Sequence, residues 1–375
     1  MTKHQKIAIN GTYIQEQASG LGVVNSNLIT QLMNSEQEFD FILYSNSSYF
    51  QKNYLSQTIS VTDSLSPDRG FSGHINRFLW YQTLLNWQLK QQNTALFYSP
   101  VGEGMLFPSI PQVVSVYDII PIKYPELNPK WKYYYYYILP LILKKSEAII
   151  CCSEHTKKDL IENYKLSPES IHVVYPGFDR NLFRPQADIE ILSKYNLDKY
   201  LLYVGDMRFY KNLARCLEAF DRLPLKDYQF VITGKKDDFF YPEIKQKTEQ
   251  LAAKDRIIFL DYVPIADLPG LYSMAQTLVF ASLYEGFGLP VLEAMACGCP
   301  VIASKITSIP EVGGDAVFYV DPYDVESISQ GMYQVLNDEH LRTKLIKQGR
   351  ERAELFSWSQ MGKDTLQIFA DCLIQ

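Results

Sequence analysis

The sequence reads as an α/β protein built from two doubly wound domains. Three observations predict this. Strand-like runs alternate with helical patterns almost throughout, the runs fall into two series, and most are continuously apolar rather than alternating. Parallel strands covered by helices on both faces have that continuous character. A chain of 375 residues is long enough for two separate cores.

The first series is KIAIN, DFILYS, ALFYS, QVVSV, EAIICC and IHVVY; the second is KYLLYVG, YQFVITG, RIIFL, TLVFA, PVIAS and AVFYV. Between them, Tyr175 to Lys199 contains YPGFDRNLFRP, which carries turn residues and no periodicity. This places an expected boundary between domains 1–183 and 184–356. Trp131 to Lys145, WKYYYYYILPLILKK, stands apart, because five consecutive tyrosines on a helix cannot all face a core. Either some line a cleft or meet a partner or membrane surface, or the helix packs on the first sheet with its hydroxyls reaching water. The apolar stretch is too short to span a bilayer.

Composition narrows the function classes. Hydrophobic residues make up 47% and charged residues 21%, as in soluble globular proteins. The net charge of −6 gives no field that favours nucleic acid. The acidity is confined to the second half: residues 1–184 hold 16 basic and 15 acidic side chains, the remainder 20 and 27. The six cysteines, at 151, 152, 216, 297, 299 and 372, lack a C-x-x-C spacing and read as small core residues of a reducing compartment. MTKHQKIAIN has no signal-peptide core, and no run of about 18 apolar residues occurs, so a cytoplasmic protein is expected.

The chemistry-bearing stretch is SLYEGFGLPVLEAMACGCPVIAS, residues 282–304, with Glu285 and Glu293 in an otherwise apolar run. TLVFA reads as a buried strand, and Pro290 suits the first turn of a helix expected to continue through Val291 to Cys297. Gly286 and Gly288 allow the sharp turn between them. Glu285 is then expected in a loop at a strand's carboxyl end and Glu293 in the first helical turn. Strand carboxyl ends and helix N-termini both line ligand crevices. Helix-dipole pairing for Glu293 and a solvated loop charge for Glu285 remain the alternative.

Three further segments repeat this grammar. Gly20-Leu21-Gly22 follows the first strand and precedes a helical pattern from Val23 to Met33. LLYVGDMRFYKN, residues 201–212, carries Gly205 with Arg208 and Lys211, two cations suited to a diphosphate. Val116-Tyr117-Asp118 ends another strand. Histidines 4, 74, 155, 172 and 340 show no metal-ligand spacing. No nucleophile elbow, Walker A sequence or complete G-x-G-x-x-G is present.

On these residues the chain resembles the retaining GT-B glycosyltransferases of group 1, also called family 4. Glu285-Gly-Phe-Gly-Leu-Pro-Val-Leu-Glu293 and its continuation AMACGCPVIAS match the family's E-x₇-E signature. SGLGVV, VVSVYDIIPIKYPE, IICCSEHTKKDLI, IHVVYPGFD, YVGDMRFYKNL, RIIFLDYVPIADLPGLYSMA and IPEVGGDAVFYVDP extend the match over most of the chain. The nearest subgroup is the bacterial polysaccharide mannosyl- and rhamnosyl-type transferases.

The resemblance implies two Rossmann-like domains facing across a cleft, with a last segment, 357–375, returning to the first domain. It further implies a nucleoside diphosphate sugar as donor and a glycan, lipid-linked or small-molecule acceptor. No bound metal or other cofactor is implied, and residues 131–145 are a candidate for peripheral contact with the inner membrane face. Glu285 would bind donor-sugar hydroxyls, and the Gly286–Leu289 backbone, with Phe287 and Gly288, would contact sugar and phosphates. Glu293 would accept from ribose hydroxyls, Lys211 and Arg208 would stabilise the departing diphosphate, Gly22 would lie against donor phosphate and acceptor, and Gly205 would join the donor-binding residues. Gly234 and Val263 would approach the nucleoside. Tyr117-Asp118 stands where the family has His-Asp, and Tyr210-Lys211 where it has Arg-Lys. A nucleotide-sugar 2-epimerase of the same fold and a non-catalytic nucleotide-sugar-binding subunit are the rival readings.

Overall fold

In a computed structural model, residues 5–14, 20–35, 39–127, 129–186, 188–260 and 263–374 are described. The chain forms two compact units, Met1–Gly177 with Trp358–Gln375, and Phe178–Ser357.

The first unit holds a seven-stranded sheet in the order β3-β2-β1-β4-β5-β6-β7, its strands being β1 Gln5–Asn10, β2 Phe39–Tyr44, β3 Thr58–Ile59, β4 Leu96–Ser99, β5 Gln112–Val116, β6 Ala148–Cys151 and β7 Ile171–Val173. Every pairing is parallel, with Ile7 opposite Phe41 and Val114 opposite Ile149. Strands β4, β5 and β6 are buried along their whole length, which is why their sequences are apolar without alternation. Six of these strands match the expected runs. The two-residue β3 is too short to carry a periodicity and was not expected.

The helix Gly20–Met33 buries Val24, Leu28 and Leu32, a spacing of four that sets them on one face. It begins at Gly20, so Gly20 to Gly22 form its first turn rather than a loop ahead of a helix starting at Val23. The helix Trp358–Ile374 packs on it. Gly362 permits the approach, since a Cβ there would lie 2.8 Å from Gln31 Cβ. Phe369 and Tyr98 add a ring contact at 5.0 Å.

Trp131–Leu143 is one continuous helix whose middle, Tyr134–Ile138, is wound wide as a π-turn. Pro140 follows directly, and its missing N–H cannot serve an ordinary helical ladder. Tyr134 is buried and donates to Gly102 O at 2.9 Å, whereas Tyr133, Tyr136 and Tyr137 are exposed. No described helix is long and apolar enough to cross a membrane.

The second unit holds a six-stranded parallel sheet in the order β10-β9-β8-β11-β12-β13, with β8 Tyr200–Val204, β9 Gln229–Thr233, β10 Ile257–Phe259, β11 Thr277–Phe280, β12 Val301–Ser304 and β13 Phe318–Val320. The helix Leu213–Arg222 turns Leu213, Cys216, Leu217 and Phe220 into a core with Leu201, Phe230 and Val279. Both sheets run outward in opposite directions from a central pair, β1/β4 and β8/β11. In such sheets ligands bind beyond the strand carboxyl ends at that switch point.

Candidate functional site

The switch point of the second unit lies between β8 and β11, and the segments leaving both strands carry the sequence-predicted residues. β11 is fully buried and delivers Ala281 to Glu285. The chain then turns through Gly286 and Phe287 into the helix Leu289–Ala296. Gly288 has φ +118°, a conformation that favours glycine, and a Cβ there would lie 2.7 Å from Ile309 Cδ1, whose side chain would have to shift. Buried Ser308 pins the turn, its Oγ lying 3.0 Å from Glu285 O and 2.8 Å from Phe287 O. Its single proton serves either carbonyl.

From the β8 side comes the helical turn Phe209–Lys211. Asn212 follows with φ +63°, a conformation asparagine tolerates. Its Nδ2 donates to Ala281 O at 2.8 Å and Pro322 O at 2.7 Å. Leu283 N donates to Tyr210 O at 2.7 Å. These bonds tie the two loops together and set Lys211 against Glu285. Lys211 Nζ donates to Glu285 Oε1 at 2.8 Å and Oε2 at 2.9 Å. Both side chains are largely buried, at 17% and 10% exposure. Burial works against the lysine charge, but the Glu285 and Asp206 carboxylates outweigh it and raise the Lys211 pKa above its ordinary value.

Arg208 is held differently. Its Nη1 donates to Tyr210 Oη at 3.2 Å, and its Nε lies 3.5 Å from Asp206 and 3.6 Å from Asp237. The guanidinium that stands near the family's arginine position is thus already faced by two carboxylates. Gly205 and Gly234 abut: Gly205 N donates to Thr233 O at 3.0 Å, and a Cβ on Gly234 would fall 1.9 Å from Gly205 O. Backbone packing alone therefore demands glycine at 234. Val263 is half-buried, directly after residues 261–262, which lie outside the described residues.

Glu293 corrects one expectation. It falls beyond the first turn of its helix, where no acidic residue occurs, so dipole pairing does not account for it. Its Oε2 accepts from the hydroxyl of buried Tyr272 at 3.0 Å. Burial pushes its pKa up to about 7, with the Tyr272 bond opposing.

In the first unit, Tyr117 follows β5 and donates its hydroxyl to Asn25 Oδ1 at 2.9 Å, on the same helix as Gly22. Burial holds the Tyr117 pKa well above the phenol range. Its carbonyl receives Cys152 Sγ at 3.1 Å and Thr156 Oγ1 at 3.2 Å. Asp118 Oδ1 accepts from Ile120 N at 3.0 Å, closing an Asx turn ahead of the helical turn Ile120–Lys123. The structure thus brings Tyr117 to the Gly22 helix. Asn25, Asn212, Tyr272 and Ser308 were not singled out in the sequence. An asparagine after a lysine-bearing loop was the only local hint; the others act across 21 or more residues. Among the described residues no group of three or more His, Cys, Asp or Glu is placed to hold a metal ion.

Two parallel doubly wound sheets, with an acidic-basic pair at the carboxyl ends of the second, define a GT-B type architecture. The chain belongs to the group 1 glycosyltransferases: residues 186–352 match the family described as glycosyl transferases group 1, and residues 18–182 match glycosyltransferase family 4. Among curated relatives, it is 39% identical over 193 residues to O-antigen chain mannosyltransferase B of Escherichia coli, covering 49% of this chain and 50% of that protein. It is 28% identical over 225 residues to mannosylfructose-phosphate synthase of Agrobacterium fabrum, covering 56% and 49%. The chain spans about half the length of these curated relatives. Among solved structures it resembles sucrose-phosphate synthase from Thermosynechococcus elongatus, with TM-score 0.79, 20% identity and coverage of 98% and 99%. Anabaena HepE, solved with UDP and glucose, gives TM-score 0.76 at 17% identity, covering 98% and 100%. These likenesses establish the GT-B fold.

Proposed function

We propose that this protein transfers a hexose, mannose by preference, from a nucleoside diphosphate sugar to a hydroxyl of a glycan acceptor, with retention at the anomeric carbon. The observation that carries the reading is the buried Lys211–Glu285 pair beyond the carboxyl ends of β8 and β11. Support for the donor class comes from HepE, solved with UDP-glucose, and for mannose from the mannosyltransferase relatives.

In the structure the two charges satisfy each other. A diphosphate gives Lys211 a stronger anionic partner, and its long flexible stem lets the ammonium swing to it. Glu285, released, accepts from hydroxyls of the donor sugar. The lysine then stabilises the negative charge that grows on the leaving diphosphate. Attack occurs on the face from which the diphosphate departs. The acceptor oxygen bonds to the anomeric carbon, the bond to the phosphate oxygen breaks, and that oxygen takes the acceptor proton. Lys211 supplies the positive field, so the reading requires no divalent ion. Tyr117 and Asp118 take the place of the family's His-Asp pair in the first unit.

The test is transfer by the purified chain from GDP-mannose and UDP-glucose to an α-linked mannotriose, with and without EDTA. Turnover is expected in EDTA. Lys211→Ala should lower kcat by about 10²–10³-fold. Glu285→Gln should lower kcat without weakening GDP or UDP binding, because its ligand partner is the sugar and loss of its charge frees Lys211 for the diphosphate. Tight donor binding with neither transfer nor hydrolysis would replace the reading with that of a binding subunit, and release of an epimerised sugar with that of an epimerase.

A further inference from the structure

The first unit carries a second polar centre, unused above. Glu103, in the segment after β4, is 3% exposed and accepts five hydrogen bonds. Oε1 receives Tyr13 Oη at 2.6 Å, His74 Nδ1 at 2.7 Å and Arg77 Nη2 at 3.1 Å. Oε2 receives Arg77 Nε and Tyr81 Oη, each at 3.0 Å. Arg77 also donates to Leu65 O at 2.8 Å. Burial alone would raise the Glu103 pKa, yet the bonds from His74 and Arg77 prevail and hold it down at about 2. The carboxylate is therefore ionised and acceptor-only, and its charge is balanced by Arg77.

That assignment fixes the histidine. Because Glu103 can only accept, His74 Nδ1 carries a proton, and in the neutral ring Nε2 presents a lone pair. His74 is 5% exposed and lines an open groove of about 330 Å³ with Phe71, Ile75, Tyr133, Tyr134 and Tyr137 among its walls. No described residue hydrogen-bonds Nε2. The ring is held in place by Trp131 and Tyr134, whose centroids lie 4.3 and 4.5 Å away. On the rim, Phe71, Tyr133 and Tyr137 are 41%, 58% and 66% exposed. A rigidly oriented ring nitrogen in the wall of an aromatic groove matches one ligand chemistry in particular. A pyranose offers an apolar C–H face to aromatic rings and hydroxyl donors at its edge. A hydrocarbon chain would fill the groove but cover the Nε2 atom of the buried His74 without a hydrogen bond, which is unfavourable.

We propose that this groove binds a pyranose ring of the acceptor glycan, with one sugar hydroxyl hydrogen-bonded to His74 Nε2 and the ring lying against Phe71, Tyr133 and Tyr137. The proposal rests on the glycosyl-transfer reading for the identity of the ligand as acceptor, while binding itself can be measured without turnover.

The full chain is titrated with α-linked mannotriose, maltotriose and an α-linked rhamnose trisaccharide by saturation-transfer NMR and calorimetry. GDP and UDP binding is followed in parallel. One trisaccharide should bind without any nucleotide. Tyr133→Ala/Tyr137→Ala, which alters exposed side chains only, should weaken it at least tenfold, and His74→Phe should do the same. Neither should move nucleotide affinity by more than about twofold. Oligosaccharide binding that both variants retain, or no binding of any trisaccharide by wild type, overturns the proposal. So does sedimentation with phosphatidylglycerol vesicles that the double tyrosine variant loses and His74→Phe keeps, which would make the groove a lipid contact. Absence of transfer together with His74-dependent trisaccharide binding would instead refute the catalytic reading and leave the sugar site standing.

Discussion

Glu293 shows how one residue's surroundings set its chemistry. Its carboxyl is held at a pKa of about 7 by burial, against an ordinary value near 4.5. A group whose folded pKa is raised stabilises the fold fully below its unfolded pKa, and that contribution is lost as pH rises through the folded value. Between about pH 4.5 and 7 the native state therefore binds the extra proton, and stability falls as pH rises. Glu293→Gln keeps the Tyr272 hydrogen bond and removes the charge. It should match wild type near pH 4.5 and exceed it by roughly 3 kcal/mol at pH 8, given about 1.4 kcal/mol for each unit between the ordinary and the raised pKa. Urea denaturation at the two pH values measures this; a wild type equally stable relative to the variant at both refutes the burial account. The same variant should bind nucleotide more weakly if ribose hydroxyls are the donors that the ionised carboxylate accepts.

At the scale of the element, the turn between β11 and the helix Leu289–Ala296 depends on Gly288. An alanine there must adopt φ near +118° and place its Cβ 2.7 Å from Ile309 Cδ1. The backbone strain alone is worth about 1–3 kcal/mol. The consequence for the site follows from the Ser308 bonds to the carbonyls on either side of Gly286, which transmit any shift of the turn to Glu285. Gly288→Ala is expected to lower the melting temperature by several degrees and to cut kcat by more than the stability loss explains at 25 °C. An alanine variant with unchanged melting temperature and activity would show that the turn can relax without cost.

At the scale of the whole molecule, the chain's last helix completes the first unit although it follows the second in sequence. Trp358, Met361, Ile368 and Phe369 are buried on it. At about 1.5–3 kcal/mol for each large apolar side chain buried, their loss approaches the whole stability of a typical domain, about 5–15 kcal/mol. Ending the chain after Ser357 should therefore leave the first unit protease-sensitive and Tyr98 and the Gly20–Met33 helix solvent-exposed, with every strand of its sheet still encoded. Limited proteolysis with mass spectrometry checks this; a protected first unit in the shortened chain refutes it.

Local pattern was enough for every described strand but β3, the parallel character of the sheets and the loop positions of Glu285 and Lys211. Continuous apolar runs, glycine turns and Pro290 act over a few residues, so they are legible without a fold. The family signature from Glu285 to Glu293 is likewise contiguous. Everything that depends on residues far apart was decided by the tertiary structure. The ion pair of Lys211 with Glu285 spans 74 positions, and the bond of Tyr117 with Asn25 spans 92. The raised pKa of Glu293 comes from burial beside Tyr272, which no spacing encodes. Glu103 is the instructive case: it stands between Gly102 and Gly104 just after a strand, the same local grammar that marked Glu285. What made it a site was the helix carrying His74 and Arg77, three positions apart on one face, folding over it. Charge and hydrogen-bond complementarity are properties of three-dimensional neighbours, and only chain packing chooses those.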